Sequence, residues 1–168
     1  MKIILFRGRP GAGKTTLSSI LAKEINAPVL RKDDIYDVAA ELLSTHQDCN
    51  KLSYNSLYQI LASNTQTNCT FILDYPFQTT EDLAVIKNWC LERGVELKSI
   101  LVTCTDEKLW ADRFNVRSIN PAPNQLITNF DTLKEHYGNI QITPEPTELL
   151  VDTAQDQDSI LEVIRKFI

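Results

Sequence analysis

The sequence predicts a three-layer α/β/α sandwich built around a five-stranded, mostly parallel sheet. Three observations predict it. Short apolar runs of strand length alternate along the chain with stretches of helical period. Strands joined through helices lie parallel and cross over right-handed, with helices covering both faces of the sheet. A glycine-rich turn ending in Lys14-Thr15 stands between the first apolar run and the first helical stretch, which is where such a domain binds phosphate.

The elements follow in order. Ile3-Ile4-Leu5-Phe6 is a continuous apolar run, as expected of a strand covered on both faces. From Lys14 the period changes: Leu17, Ile20, Leu21 and Ile25 share a helical face, and Asn26-Ala27-Pro28 stops the helix. Val29-Leu30-Arg31 is a brief second strand. Ile35, Val38, Ala39, Leu42 and Leu43 then predict an amphipathic helix with that stripe inward. A polar stretch from Ser44 to Lys51 follows, and Leu57, Ile60 and Leu61 predict a further helix. Thr70 to Asp74 is a third strand. Leu83, Ile86 and Cys90 line a helix that Gly94 ends. Leu97 to Cys104 is a fourth strand, Lys108 to Val116 another helix, and Asn120-Pro121-Ala122-Pro123-Asn124 an exposed loop. Leu149-Leu150-Val151 is a fifth strand, and Ile160, Leu161, Ile164, Phe167 and Ile168 close the chain as a helix.

Composition narrows the function classes. The 168 residues, 43% apolar and 23% charged, suit a single domain spanning 1–168 with a core that needs no staples. A formal charge of −5 speaks against a protein whose main task is gripping a nucleic-acid backbone, although a small basic site is compatible with it. Cys49, Cys69, Cys90 and Cys104 include no C-x-x-C pair, so they read as reduced thiols of a cytoplasmic protein. No apolar run approaches the about 18 residues of a membrane span. The Met1–Phe6 start is too short for the about 7–15 residues of a signal-peptide core.

Gly8-Arg9-Pro10-Gly11-Ala12-Gly13-Lys14-Thr15 matches G-x-x-x-x-G-K-[ST] in full. Several backbone N–H groups must surround one anion, which requires glycine dihedrals and no obstructing side chains. The following helix adds its positive N-terminal end. Gly8, Pro10, Gly11, Ala12, Gly13, Lys14, Thr15 and Thr16 are therefore the expected phosphate-binding residues. Lys14 reaches the β- and γ-phosphates, and the Thr15 hydroxyl is a Mg²⁺ ligand. The expected fold is that of P-loop NTPases, of nucleoside-kinase-like type.

Ligands of such sheets bind beyond the carboxyl ends of the strands. Asp33, after strand two, reads either as the N-cap of the next helix or as a general base taking the proton of an attacking hydroxyl. The two roles are compatible. Asp74 ends strand three, where a carboxylate can hold Mg²⁺ with Thr15; the alternative is a residue that only starts the Asp74-Tyr75-Pro76 turn. Arg113 and Arg117 are four apart on one helical face and lead into the Pro/Asn-rich loop. They suit a lid over about 113–128 that closes on a triphosphate, or else form a solvated basic helix end. His46 and His136 have no supporting constellation. Tyr54 and Tyr58, within the polar segment Gln47 to Asn68, are the expected acceptor side or half-buried packing groups.

With these positions placed, the chain resembles the small P-loop kinases grouped with the polynucleotide 5′-hydroxyl kinase domain, the chloramphenicol phosphotransferases and the zeta toxins. The likeness rests on Gly8 to Thr16, Arg31-Lys32-Asp33-Asp34, Ile72-Leu73-Asp74 and Arg113-Phe114-Asn115-Val116-Arg117. It implies ATP as donor with Mg²⁺, Asp33 as catalytic base, Lys14 and Arg117 as charge-stabilising groups, and Arg113 and Arg117 on nucleotide phosphates. It also implies that the nucleotide base packs near Thr153-Ala154-Gln155. Where polynucleotide kinases carry an arginine three residues past the base, this chain has Tyr36, which points away from a polynucleotide acceptor. No glycine triplet follows strand three, unlike shikimate kinase. The expected activity is transfer of phosphate to a hydroxyl of a small molecule or nucleoside. The competing classes are a regulatory NTPase and a non-catalytic nucleotide-binding module. A guanine-reading Asn-Lys-x-Asp is missing, since Asn50-Lys51-Leu52-Ser53 lacks the aspartate.

Overall fold

The computed structural model describes residues 1–168. Five strands form one sheet: β1 (Lys2–Arg7), β2 (Val29–Arg31), β3 (Thr70–Asp74), β4 (Glu96–Thr103) and β5 (Leu149–Asp152). Their order is β2-β3-β1-β4-β5, and every pairing is parallel. Seven helices complete the fold: α1 (Lys14–Ile25), α2 (Lys32–Ala40), α3 (His46–Ser63), α4 (Thr80–Glu92), α5 (Glu107–Arg117), α6 (Phe130–Tyr137) and α7 (Gln157–Phe167). This is the α/β sandwich that the alternation of runs and helical periods predicts.

The apolar runs of the strands are continuous because both faces of the sheet are covered. Alternate side chains serve the two sides. Ile4, Phe6, Ile72, Ile100 and Val102 join Leu17 and Leu21 of α1, Trp110 and Phe114 of α5, and Ile160, Leu161 and Ile164 of α7. Ile3, Leu5, Phe71 and Leu73 join Leu57 and Leu61 of α3 with Leu83, Ile86 and Cys90 of α4. Strand register brings the carboxyl ends into line: Phe6 and Arg31 both pair with Asp74, and Thr103 pairs with Asp152.

Two expectations need correction, and one helix was not foreseen. Of the inward stripe assigned to the helix after β2 only Ala39 is buried; Val38 is 60% exposed, and Leu42, 80% exposed, lies in the turn beyond the end of α2 at Ala40. Its buried residues are Tyr36 and Ala39, which pack on Cys49 of α3. The reason lies in topology. β2 is an edge strand, so the helix after it meets little of the sheet and packs mainly on α3. The polar stretch after Ser44 is helical from His46, because the Thr45 hydroxyl accepts the backbone N–H of Asp48 as an N-cap. Beyond the Asn120–Asn124 loop, α6 occupies a stretch to which the sequence pattern assigns no element; the Asn129 side chain caps it, and Phe130 and Leu133 are its buried residues.

These burials predict opposite outcomes for two leucines. Leu61→Ala removes a fully buried side chain and should cost about 2–5 kcal/mol in urea unfolding. Leu42→Ala, on the stripe that the periodicity alone would bury, should stay within about 0.5 kcal/mol of wild type.

Candidate active site

The phosphate loop begins where β1 ends. Gly8 has φ 138°, and a Cβ there would stand 2.3 Å from the Val102 carbonyl oxygen, so the strand can turn away from β4 only through glycine. Its N–H donates to the Pro76 carbonyl at 3.1 Å. Gly11, at φ 78°, passes so close to α5 that a Cβ would meet Trp110 Nε1 at 3.1 Å. That closeness allows Trp110 Nε1 to donate to the Pro10 carbonyl at 2.8 Å. From the side of β5, the Thr153 hydroxyl donates to the Ala12 carbonyl at 2.8 Å. The loop is thus held by groups from three other segments and opens into α1, whose first amides have no intrahelical acceptor. Lys14 folds back across it, its Nζ donating to the carbonyls of Gly8 and Arg9 at 3.0 Å each.

Beneath the loop lies a buried ion pair. Arg7 and Glu148 are 2% and 0% exposed at their side chains. Arg7 Nε donates to Glu148 Oε1 at 2.6 Å, the second arm of the guanidinium engages Oε2, and Nη1 donates to the Phe77 carbonyl at 3.1 Å. The Ser99 hydroxyl and the Glu145 N–H satisfy the carboxylate further. Burial pushes the Glu148 pKa up, but the Arg7, Glu145 and Ser99 hydrogen bonds outweigh it and hold the carboxyl below its ordinary range. The pair fixes the residue immediately before Gly8.

Residues after β1, β2 and β3 converge on one cavity of about 670 Å³, whose walls include Lys14, Thr15, Asp33, Asp74 and Arg117. The Thr15 hydroxyl donates to Asp74 Oδ2 at 2.7 Å. Asp74 is therefore engaged with α1 and does more than start a turn. Asp33 is in the first turn of α2 but does not cap it; the N-cap is Arg31, without a side-chain bond. Its carboxylate is left to the cavity. Burial raises the Asp33 pKa, Lys14 opposes this, and Asp74 adds to it. Burial lowers the Lys14 pKa, with Asp74 and Asp33 opposing. The three groups therefore form one electrostatic unit.

A second hollow of about 860 Å³ shares Lys14, Thr15, Asp33 and Arg117 and extends past Gly11, Gly13, Thr16 and Arg113 to Thr153 and Gln155. Arg113 and Arg117 do not act as an equivalent pair. Arg113 donates to the Thr153 hydroxyl at 2.9 Å and to its carbonyl at 3.2 Å, so it is tied to the loop after β5. Arg117 lines both hollows. Pro10 lines the first cavity, whereas Gly8 and Ala12 line neither. Those two serve the loop's path, with Ala12 fully buried in the core beneath it. The chain after α5 crosses back over α2: Asn124 donates from its backbone N–H and its amide to Asp37 at 3.1 and 2.9 Å. Of the two tyrosines, Tyr54 lines the first cavity, whereas Tyr58 packs on Trp89 with ring centroids 5.9 Å apart.

The sequence does not point to Arg7, Glu148 or Trp110, and it points to Thr153 only through the resemblance, as a neighbour of the nucleotide base rather than a brace of the loop. Arg7 and Glu148 are separated by 141 residues, and no local pattern couples them. Nor does the sequence point to His46, which bonds Tyr36 and lines the first cavity.

A phosphate loop on β1–α1 of a five-stranded parallel sheet defines a P-loop NTPase fold. The chain belongs to the AAA domain family, whose pattern matches residues 3–136. Solved structures share the fold over nearly the whole length. A provisionally designated kinase from Chloroflexus aurantiacus aligns with a TM-score of 0.76 at 21% identity, covering 99% of this chain and 98% of that one. The Mycobacterium tuberculosis APS kinase CysC, solved with AMPPNP and APS, aligns at 0.66 and 15% identity over 99% and 96%. A gluconokinase from Sinorhizobium meliloti aligns at 0.62 and 15% identity over 96% and 87%. No curated protein matches significantly.

Two outcomes test this geometry. Arg7→Ala strands a buried carboxylate and should cost about 3–5 kcal/mol in urea unfolding, while the double replacement Arg7→Met/Glu148→Leu should recover most of that loss. The second outcome concerns Asp33. Its pKa is raised from the ordinary 3.8, so between the ordinary and the raised value the native state holds a proton that the unfolded chain has released. Stability therefore falls as pH rises through that window. Asp33→Asn should remove this fall and be more stable than wild type at pH 7, as measured by urea unfolding at pH 4, 5, 6 and 7.

Proposed function

We propose that the chain is an ATP-dependent phosphotransferase acting on the hydroxyl of a small molecule or nucleoside. The observation that carries the reading is the meeting of Lys14 of the phosphate loop with Asp33 and the Thr15–Asp74 pair in one cavity. The chain is read as a single kinase domain over 1–168, with 113–128 as its lid and membership in the group resembling polynucleotide 5′-hydroxyl kinase, chloramphenicol phosphotransferases and zeta toxins. The family match and the neighbours' printed names, APS kinase with AMPPNP and APS and gluconokinase, support this direction. No helix is long and apolar enough to cross a membrane, and four free thiols suit the cytoplasm.

In this mechanism, the loop amides and the α1 N-terminus bind the β- and γ-phosphates. Lys14 exchanges its two loop carbonyls for phosphate oxygens. The acceptor's hydroxyl oxygen bonds to the γ-phosphorus while the bond to the β–γ bridging oxygen breaks, and its electron pair leaves with ADP. The hydroxyl proton passes to the Asp33 carboxylate, whose raised pKa makes it the better acceptor. Arg117 balances charge on the transferring group, and Arg113 with Thr153 and Gln155 borders the hollow suited to the nucleotide base. The Thr15 hydroxyl and Asp74 carboxylate fit a Mg²⁺ ion, which when bound neutralises phosphate charge.

Asp33→Asn should lose about 10²–10⁴-fold in phosphate transfer while binding ATP within a few-fold of wild type. Rates measured by ADP release, with affinity from calorimetry, check this. A variant that kept the wild-type rate would refute the base assignment. Lys14→Ala should instead weaken ATP binding itself.

A further inference from the structure

The polar end of the cavity carries a feature that phosphate donation does not use. Tyr36 of α2 meets His46 of α3, with Tyr36 Oη 2.6 Å from Nδ1. His46 Nε2 in turn lies 2.7 Å from Asn50 Nδ2. Whichever ring nitrogen holds the proton, one amide atom of Asn50 is consumed by the imidazole. The other, Oδ1 as placed, is buried without a hydrogen-bond partner. Lys32 Nζ sits 4.7 Å from the centroid of the buried Tyr36 ring and joins no ion pair, although its neighbour Arg31 pairs with Asp34. Lys32, Asp33, His46, Asn50 and Tyr54 all line the same cavity. The carboxylate on its far wall, Asp82, is occupied by its own backbone, accepting the Thr79 N–H of the α4 capping box.

A half-buried ammonium group whose burial is offset only by the longer-range attraction of Asp33 and Asp37, and a buried amide atom without a partner, both gain when a ligand supplies a direct contact. We propose, resting on the kinase reading above, that Lys32 and the Tyr36–His46–Asn50 chain form the acceptor-binding end of the cavity. The acceptor is then a small hydroxyl compound that also carries a carboxylate or phosphate. Lys32, one residue before Asp33 and at the positive first turn of α2, takes the anionic group. Asn50, oriented through His46 by Tyr36, bonds a neighbouring hydroxyl. The acceptor's reacting hydroxyl is thereby held next to Asp33. The about 670 Å³ available suits a molecule of that size.

The test uses the full chain with saturating Mg·AMPPNP and matched probes: gluconate against sorbitol, glycerate against glycerol, ribose 5-phosphate against ribose. Calorimetry should show at least one anionic member binding tenfold or more tighter than its neutral counterpart. The pairs separate carboxylate from phosphate recognition. Lys32→Met should abolish the preference without changing AMPPNP affinity, Lys32→Arg should restore it, and Tyr36→Phe should weaken probe binding through Asn50. Equal binding of charged and neutral members, no binding by any probe, or a preference that survives Lys32→Met would overturn the proposal. ADP release from the same probes with ATP reads the kinase assignment separately. Charge-selective binding without ADP release refutes the kinase and leaves the anion site, whereas release without charge preference refutes the site and leaves the kinase.

Discussion

The buried pair of Arg7 and Glu148 is the constraint on which the site depends. Two charges with side-chain exposures of 2% and 0% stand only because every donor arm finds an acceptor, including the Phe77 carbonyl and the two oxygens of one carboxylate. The pair joins the end of β1 to the segments before β5 and after β3. A phosphate loop works only if its amides keep their direction while the anion comes and goes, and Arg7 is the residue from which the loop departs. Trp110 on Pro10 and Thr153 on Ala12 then fix its far side. The loop is consequently shaped before any ligand arrives, so little ordering cost falls on binding.

The parallel sheet supplies the second constraint. Because all five strands run the same way, the residues that follow them emerge on one edge. Lys14, Asp33 and Asp74 come from three different strand–helix junctions, yet each perturbs the titration of another. The mutual perturbation is a consequence of crowding two carboxylates and an ammonium group where water is scarce. The helix after β4 divides its arginines between two duties. Arg113 braces the loop after β5, and Arg117 is left to the shared opening of the two hollows.

Much of this was legible in the sequence where the signal is local. The Gly8–Thr15 pattern, the runs Thr70–Asp74 and Val29–Arg31, and the stop at Asn26-Ala27-Pro28 each depend on neighbours in the chain, and the elements fall where those signals put them. The misreadings have a common cause. Ile35, Val38 and Leu42 fit a helical stripe, but α2 ends at Ala40, and beside an edge strand it packs mainly on α3, which leaves Val38 in water. A cap by Asp33 was plausible from spacing, yet α2 starts one residue earlier, at Lys32. The eight residues of α6 are too few for periodicity to speak. Arg7 with Glu148 is a tertiary coincidence that no window of sequence contains, and Tyr36 meets His46 only because α2 packs on α3.

In the proposed reaction the phosphate loop and Asp33 serve one transferred group. The most direct measurement is a crystal structure of the full chain with Mg·AMPPNP and the best-binding probe. The γ-phosphorus is expected between Lys14 and the Asp33 carboxylate, with the metal on Thr15 and the base against Thr153 and Gln155. A nucleotide seated elsewhere, or a γ-phosphate out of reach of Asp33, would contradict it.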